Sequence, residues 1–155
     1  MARTTLGTAV ESKIAAVITI DDKYWPLVVF RFEGTVTMAQ LEAYLKRQEE
    51  MTTRGSHSVA LVLTKNLRMW ETPVLRRQAE WLKQHRDEVA RMSLGAALVI
   101  ESPIVRGMLK ALLWLQPMPQ PHLVTNSVAQ ALGWLRARLV EANVRVELPE
   151  PAHLG

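Results

Sequence analysis

Leu94-Gly-Ala-Ala-Leu-Val-Ile100 is followed by Glu101 and then by Ser102-Pro-Ile-Val-Arg-Gly-Met-Leu-Lys-Ala-Leu-Leu-Trp114. The first run is short and continuously apolar, which predicts a strand buried on both faces of a sheet. Ser102-Pro103 then opens a helix, with Ser as the cap and Pro at the first helical position. That helix runs to about Gln116, where Gln116-Pro-Met-Pro-Gln-Pro121 cannot continue it. The same device appears one unit earlier. Val59-Ala-Leu-Val-Leu63 is a buried strand, and Thr72-Pro73 opens a helix with Thr72 as its cap. Leu75, Ala79, Leu82 and Val89 form the inner stripe of that helix.

Outward from this pair the pattern holds. Ile14 to Ile20 is β-branched and reads as a strand, Asp21-Asp22-Lys23 as a turn, and Pro26 to Phe32 as a second, antiparallel strand. Thr37 caps a helix with Met38, Leu41 and Leu45 at helical spacing, and Gly55 terminates it. His122 to Thr125 is a short strand. Asn126 or Ser127 caps a last helix with the stripe Val128, Ala131, Leu132, Leu135 and Leu139. The order β-β-α-β-α-β-α-β-α predicts a single α/β domain: a mixed, mostly parallel sheet of about five strands with helices packed on it. Residues 1–12 read as a flexible arm, 13–142 as the domain, and 143–155 as a C-terminal tail that adds a short edge segment.

The chain has 155 residues, 48% hydrophobic and 22% charged. One domain of this size buries enough surface to fold without disulfides or metals. No cysteine is present, which excludes thiolate zinc sites, iron–sulfur clusters and a cysteine nucleophile. Lys plus Arg is 19 against 15 acids, a net +4. The excess is spread over helix faces rather than concentrated in a stripe, so no nucleic-acid partner is expected. Neither a signal-peptide core nor a run of roughly 18 apolar residues occurs, so no transmembrane segment and a cytoplasmic location are expected.

Catalytic and cofactor motifs are missing. No glycine-rich phosphate loop and no nucleophile elbow occurs. His57, His85, His122 and His153 fall in different elements, with no ligand spacing between them. No enzyme, cofactor or metal is expected. His85 lies beside an apolar stripe and reads as a partly buried histidine with a satisfied hydrogen bond.

Two segments attract a functional reading. The connection Thr64-Lys-Asn-Leu-Arg-Met-Trp-Glu-Thr-Pro73 joins the carboxyl end of a central strand to a helix start, where open α/β sheets place ligands. Met69 and Trp70 are large for a solvated loop and either fold over the core or present a partner surface. The helix from Pro103 is apolar around more than half its circumference, with Arg106 and Lys110 its only charges. That breadth, with Leu113, Trp114 and Met118, predicts a second contact: a homodimer, another protein or a lipid. Burial by the tail is the alternative.

The order of elements resembles the STAS fold of anti-sigma-factor antagonists and sulfate-transporter tails, and more closely its stand-alone STAS-like branch. The residues that carry the resemblance are Phe30-Arg-Phe-Glu-Gly34 before a helix, Ser102 to Trp114, and Ser127-Val-Ala-Gln-Ala-Leu-Gly-Trp-Leu135, within residues 13–142. It implies a non-catalytic regulatory module that binds a protein partner. It also implies a serine, at the helix start after the third strand, whose phosphorylation breaks the complex. Here Thr64-Lys65-Asn66-Leu67 occupies that turn without a serine. Thr64 and Thr72 remain as candidate phosphoacceptors, with Lys65 and Arg68 as charge partners for an anion. Relatives of the fold include lipid-holding domains, which makes a small-molecule or lipid carrier built on residues 103–116 the second expectation.

Overall fold

The computed structural model describes residues 18–154. Two β-rich runs open it as an antiparallel hairpin, β1 (Ile18–Tyr24) and β2 (Leu27–Phe32), with Ile20 opposite Phe30. Residues 14–17 of the expected first strand lie outside the described residues, as do the arm 1–12 and residue 13. The expected turn at Asp21-Asp22-Lys23 belongs to β1 instead, beside a register shift, and the chain reverses at Trp25-Pro26. The acids tolerate strand geometry because each has partners. Asp21 accepts the Lys23 amide at 3.1 Å, and Asp22 pairs with Arg54 at 3.0 Å.

The remaining elements alternate. They are α1 (Met38–Thr52), β3 (Ser58–Leu63), α2 (Thr72–Gln84), α3 (Arg86–Met92), β4 (Ser93–Val99), α4 (Pro103–Leu115), β5 (His122–Thr125) and α5 (Val128–Glu141). The sheet order is β1-β2-β3-β4-β5, with every pair after the hairpin parallel. The predicted mixed, mostly parallel five-stranded sheet is therefore present. Local chemistry sets the helix starts. Thr37 and Gln40 form a reciprocal capping box at 3.0 and 3.2 Å. Ser102 and Ser127 accept the amides of Val105 and Gln130.

Two helix expectations are corrected. The cap of α2 is Glu71, not Thr72, because the first turn closes with the Leu75 amide on the Glu71 carbonyl at 3.1 Å. The helix also does not reach Val89 unbroken. His85 leaves helical geometry at φ −110° and ψ 17°, and Val89 belongs to the separate α3. The imidazole Nδ1 sits 2.9 Å from the Trp81 carbonyl and Nε2 3.2 Å from Glu49. The ring stacks on Trp81, so His85 is a partly buried, satisfied histidine.

Strand alternation sends side chains into two cores. Val28, Phe30, Phe32, Ala96, Leu98 and Ile100 face α1, α2 and α4. Leu27, Val29, Val59, Leu61, Ala97 and Val99 face α5. The tail does not add an edge strand. Leu148 and Leu154 bury themselves in the α5 core, and the Leu154 carbonyl accepts from Arg31 Nη2 at 2.9 Å. The tail thus closes the face of the sheet opposite α4.

Gly95 marks the tightest contact on that face. A Cβ there would lie 3.0 Å from the Trp134 ring and 3.2 Å from Arg138 Cγ. Gly95→Val is expected to push α5 outward and cost about 1–3 kcal/mol. Urea unfolding should show a lower midpoint with an unchanged slope.

Candidate functional site

The helix α4 is amphipathic without a polar outside. Val105, Met108, Leu109 and Leu112 recur at the spacing of one face and are buried against the sheet. The outward side carries Ile104 at 64% exposure, Trp114 at 89% and Leu115 at 49%. Between Ile104 and Trp114 lie the two smallest side chains of the helix, Gly107 and Ala111. A Cβ placed on Gly107 would meet nothing within 4 Å, so the helix surface dips there between two large apolar side chains. Arg106, half-buried, donates to the Ile100 carbonyl at 3.5 Å, and Lys110 stands exposed beside the stripe. A solvated indole flanked by apolar neighbours is a poor surface for an isolated chain and a usual anchor at interfaces.

The candidate contact residues divide. Trp114 and Met69 (61% exposed) face solvent. Leu113 and Met118 are half-buried against the core. Trp70 corrects the idea of a Met69–Trp70 surface. It is 9% exposed, its ring lies 5.9 Å from that of Phe32, and its amide meets Met108 Sδ at 3.0 Å. Leu67 folds in with it because the loop is pinned to the strand end: Gly34 N donates to the Asn66 carbonyl and Arg68 N to the Gly34 carbonyl.

The candidate anion site is likewise separated. Thr64 and Lys65 line an open cleft of about 560 Å³ at the carboxyl ends of β2, β3 and β4, with Arg31, Glu101 and Ser102. Arg68 and Thr72 are exposed but outside that lining. The Thr64 hydroxyl donates to the Val99 carbonyl at 2.8 Å, so it ties β3 to β4. Arg31 Nη1 lies 4.0 Å from Asp21 and its Nη2 donates to the Leu154 carbonyl, and Glu33 and Glu101 share the cleft lining, so the cleft carries acids beside its two cations.

Under α4 lies an apolar cavity of about 140 Å³, lined by Phe32, Tyr44, Leu82, Leu98, Met108 and Leu112 among others. Six residues with polar side-chain atoms belong to this lining: Tyr44, Gln48, Thr64, Gln78, and also Trp70 with its Nε1 and Gln120 with its Oε1. The last two are buried without a hydrogen-bond partner among the described residues. Leaving such groups unpaired costs free energy, so the cavity has a donor and an acceptor to offer. Periodicity could not expose this site, because its polar members come from four separate segments. The dip at Gly107 had a readable signal, the Gly107-x-x-x-Ala111 spacing on the outward face.

Tyr44 also fixes an alkaline limit. Burial pushes its phenol well above the ordinary 10.0, against the opposing hydrogen bond from Gln48 Nε2 at 2.8 Å. The folded chain holds a proton that the unfolded chain releases near pH 10. Stability is therefore full below that pH and falls as pH rises above it, by up to about 1.4 kcal/mol per unit. In a Tyr24→Phe background, phenolate absorbance should appear together with loss of fold rather than before it.

Among the described residues, no group of three His, Asp or Glu could hold a metal ion, and no helix is long and apolar enough to cross a membrane. No family model and no curated protein sequence matches the chain. The architecture does have a solved counterpart. It is a crystal structure of an uncharacterized protein of the DUF3478 family with a SpoIIAA-like fold, from Shewanella loihica PV-4. The two superpose with a TM-score of 0.55 at 15% identity, over 76% of this chain and 91% of the other. The fold is SpoIIAA-like. This is the STAS-type architecture that the order of elements resembles. At 15% identity the likeness concerns the SpoIIAA-like fold alone, and function has to be argued from the sites.

Proposed function

We propose that this SpoIIAA-like domain is a non-catalytic regulatory module that docks a protein partner through the outward face of α4. The observation that carries the reading is Trp114, 89% exposed at the C-terminal end of an apolar stripe that the tail leaves bare. The fold adds a prior, since antagonists of this architecture work by protein contact. A cytoplasmic location and the absence of catalysis belong to the same proposal.

A second reading rests on the cavity. Its apolar lining and the unpaired Trp70 Nε1 and Gln120 Oε1 suit a small apolar ligand carrying one donor and one acceptor. The two readings separate in native mass spectrometry of the chain isolated gently from the cells that make it. The docking reading expects protein assemblies heavier than the 17.5 kDa protomer, including a dimer if the partner is a second copy, all lost in Trp114→Glu. A small added mass that disappears on denaturation and persists in Trp114→Glu supports the carrier. A bare protomer throughout contradicts both.

A further inference from the structure

The docking face has a charge pattern as well as an apolar stripe. From Ser102 to Gln120, through α4 and the loop after it, the chain contains no Asp or Glu, while Arg106 and Lys110 lie along α4. The neighbouring helix α2 is mixed in charge. Arg77 turns toward α1, where it pairs with Glu42 at 2.8 Å, and it holds Glu80 on that side at 3.8 Å. Arg76 and Lys83, two turns apart, stand exposed on α2. Before α4 the nearest acid is Glu101, ahead of its first residue, whereas on α2 Glu80 lies four residues after Arg76 and three before Lys83 and already neighbours both. The surface around Trp114 therefore has basic side chains and no acid along α4 to answer them.

Shape narrows the occupant further. The dip at Gly107 and Ala111, bounded by Ile104 and Trp114, is open to an apolar side chain of a crossing helix, since a Cβ on Gly107 meets nothing within 4 Å. Small residues at this spacing let a second helix approach closely. A second copy of the chain is the weaker occupant. In an antiparallel two-fold pairing of α4 with itself, the Arg106–Lys110 edge lies against its own mate, and like charges meet.

We propose that the partner presents an acidic amphipathic helix, whose apolar side chains seat at Gly107 and Ala111 and whose carboxylates face Lys110 and Arg106. This rests on the docking reading above and names its partner class. Helix-in-groove recognition of this kind takes its affinity from the apolar anchors and its selectivity from the flanking charges.

The test uses two synthetic helical peptides with the same leucine face, one with a glutamate polar face and the other with a lysine polar face. Each is titrated calorimetrically at low salt into the full chain and into Lys110→Glu, Gly107→Gln and Trp114→Ser. The glutamate peptide is expected to bind the wild type about tenfold or more tighter than the lysine peptide, and added salt should erode the difference. Lys110→Glu should reduce or reverse that preference. Gly107→Gln fills the dip with a better helix former, so it should raise the melting temperature while weakening the peptide about tenfold. That opposition between stability and binding is one a purely structural role for Gly107 does not produce.

Equal, Trp114-dependent binding of both peptides overturns the acidic partner and leaves the docking face standing. A concentration-dependent dimer lost in Trp114→Ser, with no peptide bound, makes the occupant a second copy. Trp114-dependent binding to vesicles of phosphatidylcholine with phosphatidylglycerol, without peptide preference, makes it an anionic bilayer. Either result overturns the proposal. Binding that ignores Trp114 in every assay overturns the docking reading as well.

Discussion

Trp81→Ala is expected to lose about 3–5 kcal/mol of folding free energy, a large part of the 5–15 kcal/mol that holds a domain of this size together. Trp81 is 1% exposed and is the largest of the fully buried side chains. Its ring stacks on His85 with centroids 4.3 Å apart, and its Nε1 donates to Glu49 at 3.3 Å. The residue thus joins the end of α1 to the break between α2 and α3. Truncation leaves a cavity in the larger core and leaves Glu49 with His85 alone. Trp81→Phe keeps most of the volume and loses the indole donor, so its cost should be about 1–2 kcal/mol. Urea unfolding of both variants checks the order. A loss below about 1 kcal/mol for alanine contradicts the packing described for this core.

Trp114→Glu is expected to do the reverse. Trp114 contributes little burial, so stability should change by no more than about 0.5 kcal/mol. Docking should be lost, because the change removes the one exposed aromatic anchor of α4 and places a carboxylate where the partner is argued to carry its own. Anchors of this type account for about 2 kcal/mol or more of binding free energy, at least a thirtyfold loss of affinity. Circular dichroism and a thermal melt establish the retained fold, and native mass spectrometry reads the assembly. A melt that drops with the assembly would mean that Trp114 is structural.

The order of elements was legible because this sequence marks its helix starts by chemistry. Ser102-Pro103, Ser127 and Thr37 each precede a clean apolar stripe, and the strands are short β-branched runs. What failed to show were features with no local marker. The break at His85 has neither Gly nor Pro, and is stabilised by Glu49 on another helix. Trp70 sits in a loop without a period, so its burial depends on the Gly34–Leu67 bridge and on Met108, far along the chain. The tail carries only two scattered leucines, Leu148 and Leu154, and both matter only because the α5 face has room for them. The outward side of α4 lay between these cases. Its breadth was visible in the sequence, but whether the tail covered it was a question of which face the tail chose.

The docking face can be tested in place by installing the photo-crosslinking residue benzoylphenylalanine at Trp114, with the exposed Ala137 of α5 as the control, in cells that make the protein. Irradiation should give a discrete heavier species from position 114 and none from position 137, and Gly107→Gln or Lys110→Glu should abolish it. Crosslinking at 114 that is no greater than at 137, or that survives both substitutions, would contradict the outward face of α4 as the working surface of this domain.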